Sequence, residues 1–225
     1  MNGRALHFYL AGINNQNFLM RDRETGTWWQ QITGKAIYGP LKDAALEPVP
    51  SDELTFGQWK SETVEGEVLA PVAKYAKEYD SKWEADVAKL PVVISFPGTE
   101  LQSRDVVVGL EMGGAARAYP WSALVKQSPV LDRVHGTPLL LVVGPDGLSF
   151  RVFVSRVDGQ DDEFFLKGDS KDWALLDAAT ASEWNFQGCA VLGAAQGKCL
   201  ERVPALKDYW FDWRNYHPET SIYKR

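Results

Sequence analysis

The stretch Gly34-Lys-Ala-Ile-Tyr-Gly-Pro-Leu-Lys-Asp-Ala-Ala-Leu-Glu-Pro-Val-Pro-Ser-Asp-Glu-Leu-Thr-Phe-Gly-Gln-Trp59 returns, without a gap and 154 positions further on, as Gly188 to Trp213. Eight of the 26 positions are identical: Gly34/Gly188, Ala36/Ala190, Gly39/Gly193, Leu46/Leu200, Glu47/Glu201, Val49/Val203, Pro50/Pro204 and Trp59/Trp213. Glycine, proline and tryptophan prevail, and these residues set turns and fill cores, so what the two copies share is a fold. With one residue removed, the match runs back through Asp22/Asp177, Thr25/Thr180 and Trp29/Trp184. Still earlier, Gly3-Arg-Ala-Leu-His-Phe-Tyr-Leu resembles Gly147-Leu-Ser-Phe-Arg-Val-Phe-Val, across a longer loop in the second copy.

Working outward from the repeat exposes an asymmetry. About forty residues, from Val106 onward, precede Gly147 in the second copy, whereas only Met1 and Asn2 precede Gly3. An incomplete sheet leaves strand edges unpaired and apolar faces wet, which a domain stable by ~5–15 kcal/mol does not tolerate. Two explanations fit: the sequence is a fragment, or another chain supplies the missing strands. The expected organisation is an incomplete first module over 1–70, a charged connector over 71–104 and a complete second module over 105–225.

Local signals point to strands. Leu6–Leu10 and Phe18–Met20, then Trp28–Ile32 and Lys35–Tyr38, read as neighbouring strands, with Arg21-Asp-Arg-Glu-Thr-Gly as a turn. Ser51-Asp-Glu suits a helix start, and Trp59 is expected on the buried face of that helix. In the second copy, Val106–Glu111 and Ala115–Tyr119 flank Gly113-Gly114, a pair suited to the positive φ angles of a tight hairpin. A short helix is expected after Pro120, and Gly144-Pro-Asp-Gly147 reads as the turn between Pro138–Val143 and Leu148–Ser155. The fold class expected is mainly β with minor α: two tandem antiparallel β-rich modules of small barrel or sandwich type, the first incomplete.

Composition narrows the function classes. The net charge of -6, with both signs mixed along the chain, argues against nucleic acid, which calls for a clustered Lys/Arg stripe. No apolar run reaches the ~18 residues of a membrane span. Met-Asn-Gly-Arg-Ala-Leu-His-Phe has neither the apolar stretch nor the cleavage site of a signal peptide. As written the chain is expected in the cytoplasm, and if its start is truncated it is expected to be exported. Nine tryptophans and eight tyrosines suit either plugs for small β-cores or a stacking platform for a sugar or other ring ligand.

Two stretches carry a family resemblance: Asp22-Arg-Glu-Thr-Gly-Thr-Trp-Trp-Gln-Gln-Ile-Thr-Gly-Lys-Ala-Ile-Tyr-Gly-Pro-Leu and Val108-Gly-Leu-Glu-Met-Gly-Gly-Ala-Ala-Arg-Ala-Tyr-Pro. They resemble the prokaryotic family called domain of unknown function 3179 (DUF3179), whose members also carry a duplicated module. The resemblance brings no activity with it. It implies a Tyr-Cys-Pro-Leu-Cys-Gly-like segment in the first module, of a kind suited to metal or thiol chemistry. That segment falls in the half missing here, and the matching place in the second module, Leu141-Val-Val-Gly-Pro-Asp-Gly, has no cysteine. His135 stands where the family usually has glycine.

Candidate sites are few. Cys189 and Cys199 flank a Gly-rich turn, and a hairpin there brings them near disulfide separation; two buried free thiols are the other reading. Asp22, Thr25 and Trp29, with Asp177, Thr180 and Trp184, read as structural residues that cap the turn before a tryptophan strand. His7, His135 and His217 have no metal-ligand spacing, and Asp158–Glu163 lacks the acidic periodicity of a calcium loop. No dinucleotide, phosphate-loop or hydrolase motif occurs. Catalytic residues are therefore unassigned, and no cofactor or metal is expected. The function expected is a non-catalytic binding or scaffold role. The alternative is a fragment of an enzyme or metal/thiol-dependent protein whose cysteine-bearing segment lies in the missing half.

Overall fold

A computed structural model describes residue 3 and residues 5–96, 100–168 and 173–224. The chain opens with a four-stranded antiparallel meander, β1 (Phe8–Asn14), β2 (Asn17–Asp22), β3 (Trp28–Gln30) and β4 (Ala36–Tyr38), in that order across the sheet. Helix α1 (Phe56–Glu62) follows, and the connector adds a 3-10 turn at Ala73–Tyr75 and the short α2 (Trp83–Val87). The second half begins with the hairpin β5 (Val106–Met112) and β6 (Ala115–Pro120), then α3 (Trp121–Gln127). Next come β7 (Val130–Val134), β8 (Thr137–Val143) and β9 (Phe150–Val154), which form one antiparallel sheet. After the small hairpin of β10 (Arg156–Val157) and β11 (Gln160–Asp161), a second meander follows: β12 (Phe164–Leu166), β13 (Leu175–Asp177), β14 (Glu183–Trp184) and β15 (Ala190–Leu192). Last are β16 (Leu206–Tyr209), α4 (Trp210–Tyr216) and β17 (Ser221–Ile222). The outer strands β16 and β17 flank the first hairpin in a sheet ordered β16-β5-β6-β17, with β17 parallel to β6 and the other pairs antiparallel. The protein is thus mainly β with four short α-helices, and its sheets are open, with no closed barrel among the described residues.

The second half owes its core to the two-residue period of its central strand. On β8, Leu139 and Leu141 face a cluster with Val108, Leu110, Tyr119 and Leu124, while Leu140 and Val142 face Phe153, Phe164, Leu175 and Trp184. Both faces are covered, so the strand reads as an unbroken apolar run rather than an alternating one. A third cluster joins Val107 and Ala118 to Trp210 and Trp213, where α4 covers the outer face of the β16-β5-β6-β17 sheet. The layers are α4, that sheet, β7-β8-β9 and the second meander. The first meander has no such stack: Leu10, Ile13 and Tyr38 are 55%, 64% and 70% exposed.

The repeat is structural, and its reach is clearer than in the sequence. Helices α1 and α4 cover residues 154 positions apart at both ends. Phe8 pairs with Asp22 as Phe164 pairs with Asp177, so β1 answers to β12. The apparent likeness of Gly3–Leu10 to Gly147–Val154 is therefore not a structural equivalence, since β9 belongs to a sheet without counterpart in the first copy. Gly113 and Gly114 adopt φ of 59° and 79° in a two-residue hairpin. Three further hairpins turn in the same way, through Asn15-Gln16, His135-Gly136 and Asp158-Gly159. His135 takes φ 46° at the first central position, which accounts for glycine as the residue to be expected there.

Candidate functional site

The residues repeated in both copies build one device twice. Asp22 accepts from the Thr25 backbone N–H at 2.6 Å, the Thr25 hydroxyl at 2.8 Å and Trp29 Nε1–H at 2.9 Å. Asp177 accepts from the Thr180 backbone and hydroxyl, the Ser182 backbone N–H and, at 2.9 Å, Trp184 Nε1–H. Burial pushes each carboxyl up, but the tryptophan and threonine donors outweigh it and hold both below the usual carboxylate range. A carboxylate saturated in this way anchors a turn to a buried indole, and its lone pairs are not available to take a proton from a substrate. Cys189 and Cys199 form a disulfide across an isolated antiparallel bridge, with a Cα separation of 4.0 Å; the bridge Lys35–Ala45 occupies the same place in the first copy.

A cleft of about 660 Å³ opens beside α1, lined on the helix side by Asp52, Leu54, Phe56, Trp59 and Glu62. Arg151, Cys189 and Arg202 of the second copy are among its other walls. Arg151, 4% exposed, is the pivot. Its guanidinium grips Asp52 at 2.8 Å and Glu62 at 2.6 Å and lies over the Phe186 ring at 4.5 Å, while Arg202 also pairs with Asp52. Burial raises both carboxyls and Arg151 overrides it, so Asp52 and Glu62 sit below their ordinary range. Thr55 caps α1 through Gln58 N–H and binds Ser149 and Asp146, tying the helix start to the second copy.

The apolar side of α1 is handled differently. Phe56 and Trp59 stack on one another at 5.6 Å, Phe56 is 63% exposed, and α1 contains no buried residue, contrary to the expectation for Trp59. Their equivalents on α4, Trp210 and Trp213, are each 3% exposed beneath β5 and β6. The helix expected from Ser51 begins at Phe56, because Asp52 and Leu54 are drawn onto the second copy.

Each helix lies against the other copy's meander. Gln58 and Glu62 of α1 face Asn185 and Phe186, while Asp212 of α4 accepts from Asn17 and Tyr216 lies beside Gln30. Asp208 and Asp212 meet there: burial, then mutual repulsion, raises Asp208, and burial raises Asp212, so the pair retains a proton that isolated carboxylates would lose. The histidines are scattered: His7 pairs with Glu24 at 2.6 Å on the surface, His135 turns a hairpin, and His217 stacks on Trp213 at 3.8 Å. Asp52, Glu62, Arg151 and Arg202 carry no repeat signal, since only interactions between copies bring them together; the one hint was a lone arginine in the apolar run Phe150–Val154.

A family model described as "Protein of unknown function (DUF3179)" matches residues 2–220. No curated protein and no solved structure matches the chain. No helix among the described residues is long and apolar enough to cross a membrane.

Proposed function

The chain belongs to DUF3179, a family of proteins of unknown function, a membership that carries no activity; from the geometry of α1 we propose a non-catalytic binding or scaffold role, with the face of α1 as the surface that engages a partner. The observation that carries this reading is the contrast between equivalent aromatics: Trp210 and Trp213 are buried by a sheet, whereas Phe56 and Trp59 line an open cleft. An exposed Phe56 stacked on a half-buried Trp59, beside a charged rim, matches the composition of an interface centre. The partner is another polypeptide that completes the first module, taken as 1–70 and joined through 71–104 to the second module at 105–225. Nucleic acid is disfavoured, because Arg151 and Arg202 are already tied to Asp52 and Glu62 and the chain carries -6. Asp22, Thr25 and Trp29, and Asp177, Thr180 and Trp184, have a structural role in this reading, as does the Cys189–Cys199 bridge.

Thermal unfolding of two variants tests whether the α1 face is held in reserve. Trp213→Ala empties a core site and should cost about 3–5 kcal/mol. Trp59→Ala should cost clearly less, about 1 kcal/mol, because its indole is only half-buried. If Trp59→Ala destabilises the chain as much as Trp213→Ala does, α1 already uses that face for folding and the proposal fails.

A further inference from the structure

The second copy shows what the first copy's helix is built to meet. Tyr209, before α4, and Thr55, before α1, have the same extended backbone, with φ and ψ of -74° and 145° against -64° and 152°. Both helices close through the same contact, from His217 N–H to Trp213 O and from Thr63 N–H to Trp59 O. The segment Leu206–Tyr209 is strand β16, paired antiparallel with β5 so that Leu206 faces Gly109 and Tyr209 faces Val106. Its equivalent, Asp52 to Thr55, pairs with no strand among the described residues. In the second copy the Trp213 indole lies flat on Gly109, where a Cβ would come within 2.4 Å of the ring. Any larger residue there would drive the helix off the sheet.

We infer that the α1 face is a docking groove for an antiparallel β-hairpin of a second polypeptide, with one strand along Asp52 to Thr55 and a glycine against the part of Trp59 that lines the cleft, where the chain's own Gly66 does not already pack on the ring. This rests on the binding role proposed above and names the form of the partner. Strand addition to an unpaired segment gives main-chain affinity, and the aromatic pocket gives selectivity through the residue set against it. Arg202 adds a polar determinant. Its Nε–H is buried on the cleft wall without an acceptor among the described residues, so it calls for a carbonyl or carboxylate oxygen on the incoming strand.

The protein's own β5–β6 hairpin is the nearest available mimic of that partner. A dye-labelled peptide spanning residues 105–120 is titrated into the full chain and its anisotropy followed. A second version, cyclised end to end, is run beside it because an isolated hairpin is marginal in water. Saturable binding is expected, weakened at least about tenfold by Trp59→Ala in the chain and by Gly109→Val in the peptide. The inference is overturned if neither peptide saturates by about 1 mM, a bound of ~4 kcal/mol on affinity. It is also overturned if Trp59→Ala leaves the affinity unchanged, or if sedimentation shows the chain alone dimerising through a contact that Trp59→Ala abolishes, since a second copy is then the occupant. Peptide failure with a thermally mild Trp59→Ala removes the hairpin but leaves the binding role. A strongly destabilising Trp59→Ala removes both.

Discussion

At the scale of single residues, the chain spends its repeated polar groups on turns. Asp177 is 2% exposed and meets four donors, one of them the indole of a tryptophan that is itself 1% exposed. Asp177→Ala leaves that indole and the Thr180 N–H without acceptors and the Ser182 N–H with only the Thr180 hydroxyl, and should cost about 3 kcal/mol. In a chain of this size that corresponds to a fall of about 6–12 °C in the melting temperature. Calorimetry of the variant checks it, and a shift under about 2 °C would show that the carboxylate is not the anchor of the Trp184 strand. The same carboxylates make the fold acid-labile. Their folded-state pKa lies below the unfolded value, so their stabilisation is present above about pH 4 and is lost as pH falls further.

At the scale of elements, α1 is a seven-residue helix that no buried side chain holds. A helix so short is not stable alone. It is kept in place by polar ties: Glu62 and Asp52 to Arg151, and Thr55 to Asp146 and Ser149. Arg151→Met breaks the central tie and strands Glu62, 12% exposed at its side chain, so α1 should lose about 3 kcal/mol of protection. Hydrogen exchange should then speed up about a hundredfold across residues 56–62 while β7, β8 and β9 stay protected. Uniform loss of protection would mean that Arg151 belongs to the core rather than to the seam. What could be read of these elements from sequence follows from range. The Gly113-Gly114 hairpin and the α1/α4 repeat are local and were legible, whereas β16 and β17 acquire strand character only by pairing with β5 and β6, about a hundred residues earlier. The hairpin at Asn15-Gln16 escaped because Gln16 stands where glycine is usual at the second position, and that at His135-Gly136 because histidine is not a usual turn former at the first. The Arg151 cluster escaped because its members sit 99 and 89 positions apart.

At the scale of the whole molecule, two seams join the copies and respond to pH in opposite directions. At the α1 seam, Asp52 and Glu62 are held ionised by Arg151, so its contribution persists at neutral pH and is lost in acid. At the α4 seam the equivalents of the uncharged Leu54 and Gln58 are Asp208 and Asp212, with Glu53 adding negative charge and Lys207 only 3.8 Å from Glu53. Asp208 is pushed up to about 8, first by burial and then by Asp212. A carboxyl whose folded-state pKa exceeds its unfolded value binds its proton more tightly in the native state. Its contribution is therefore complete below about pH 4 and is lost as pH rises towards about 8. Asp208→Asn supplies a neutral, hydrogen-bonding side chain of the same shape and removes that dependence. Urea midpoints of the wild type should fall between pH 5 and pH 8 by more than those of Asp208→Asn, with the variant gaining most at pH 8. Carboxylates held below their ordinary range do not titrate in this interval, and comparison of the two proteins cancels every group they share. Parallel pH profiles for the two would mean that the Asp208–Asp212 pair holds no extra proton, leaving the α4 seam to contacts such as that of Asn17 with Asp212.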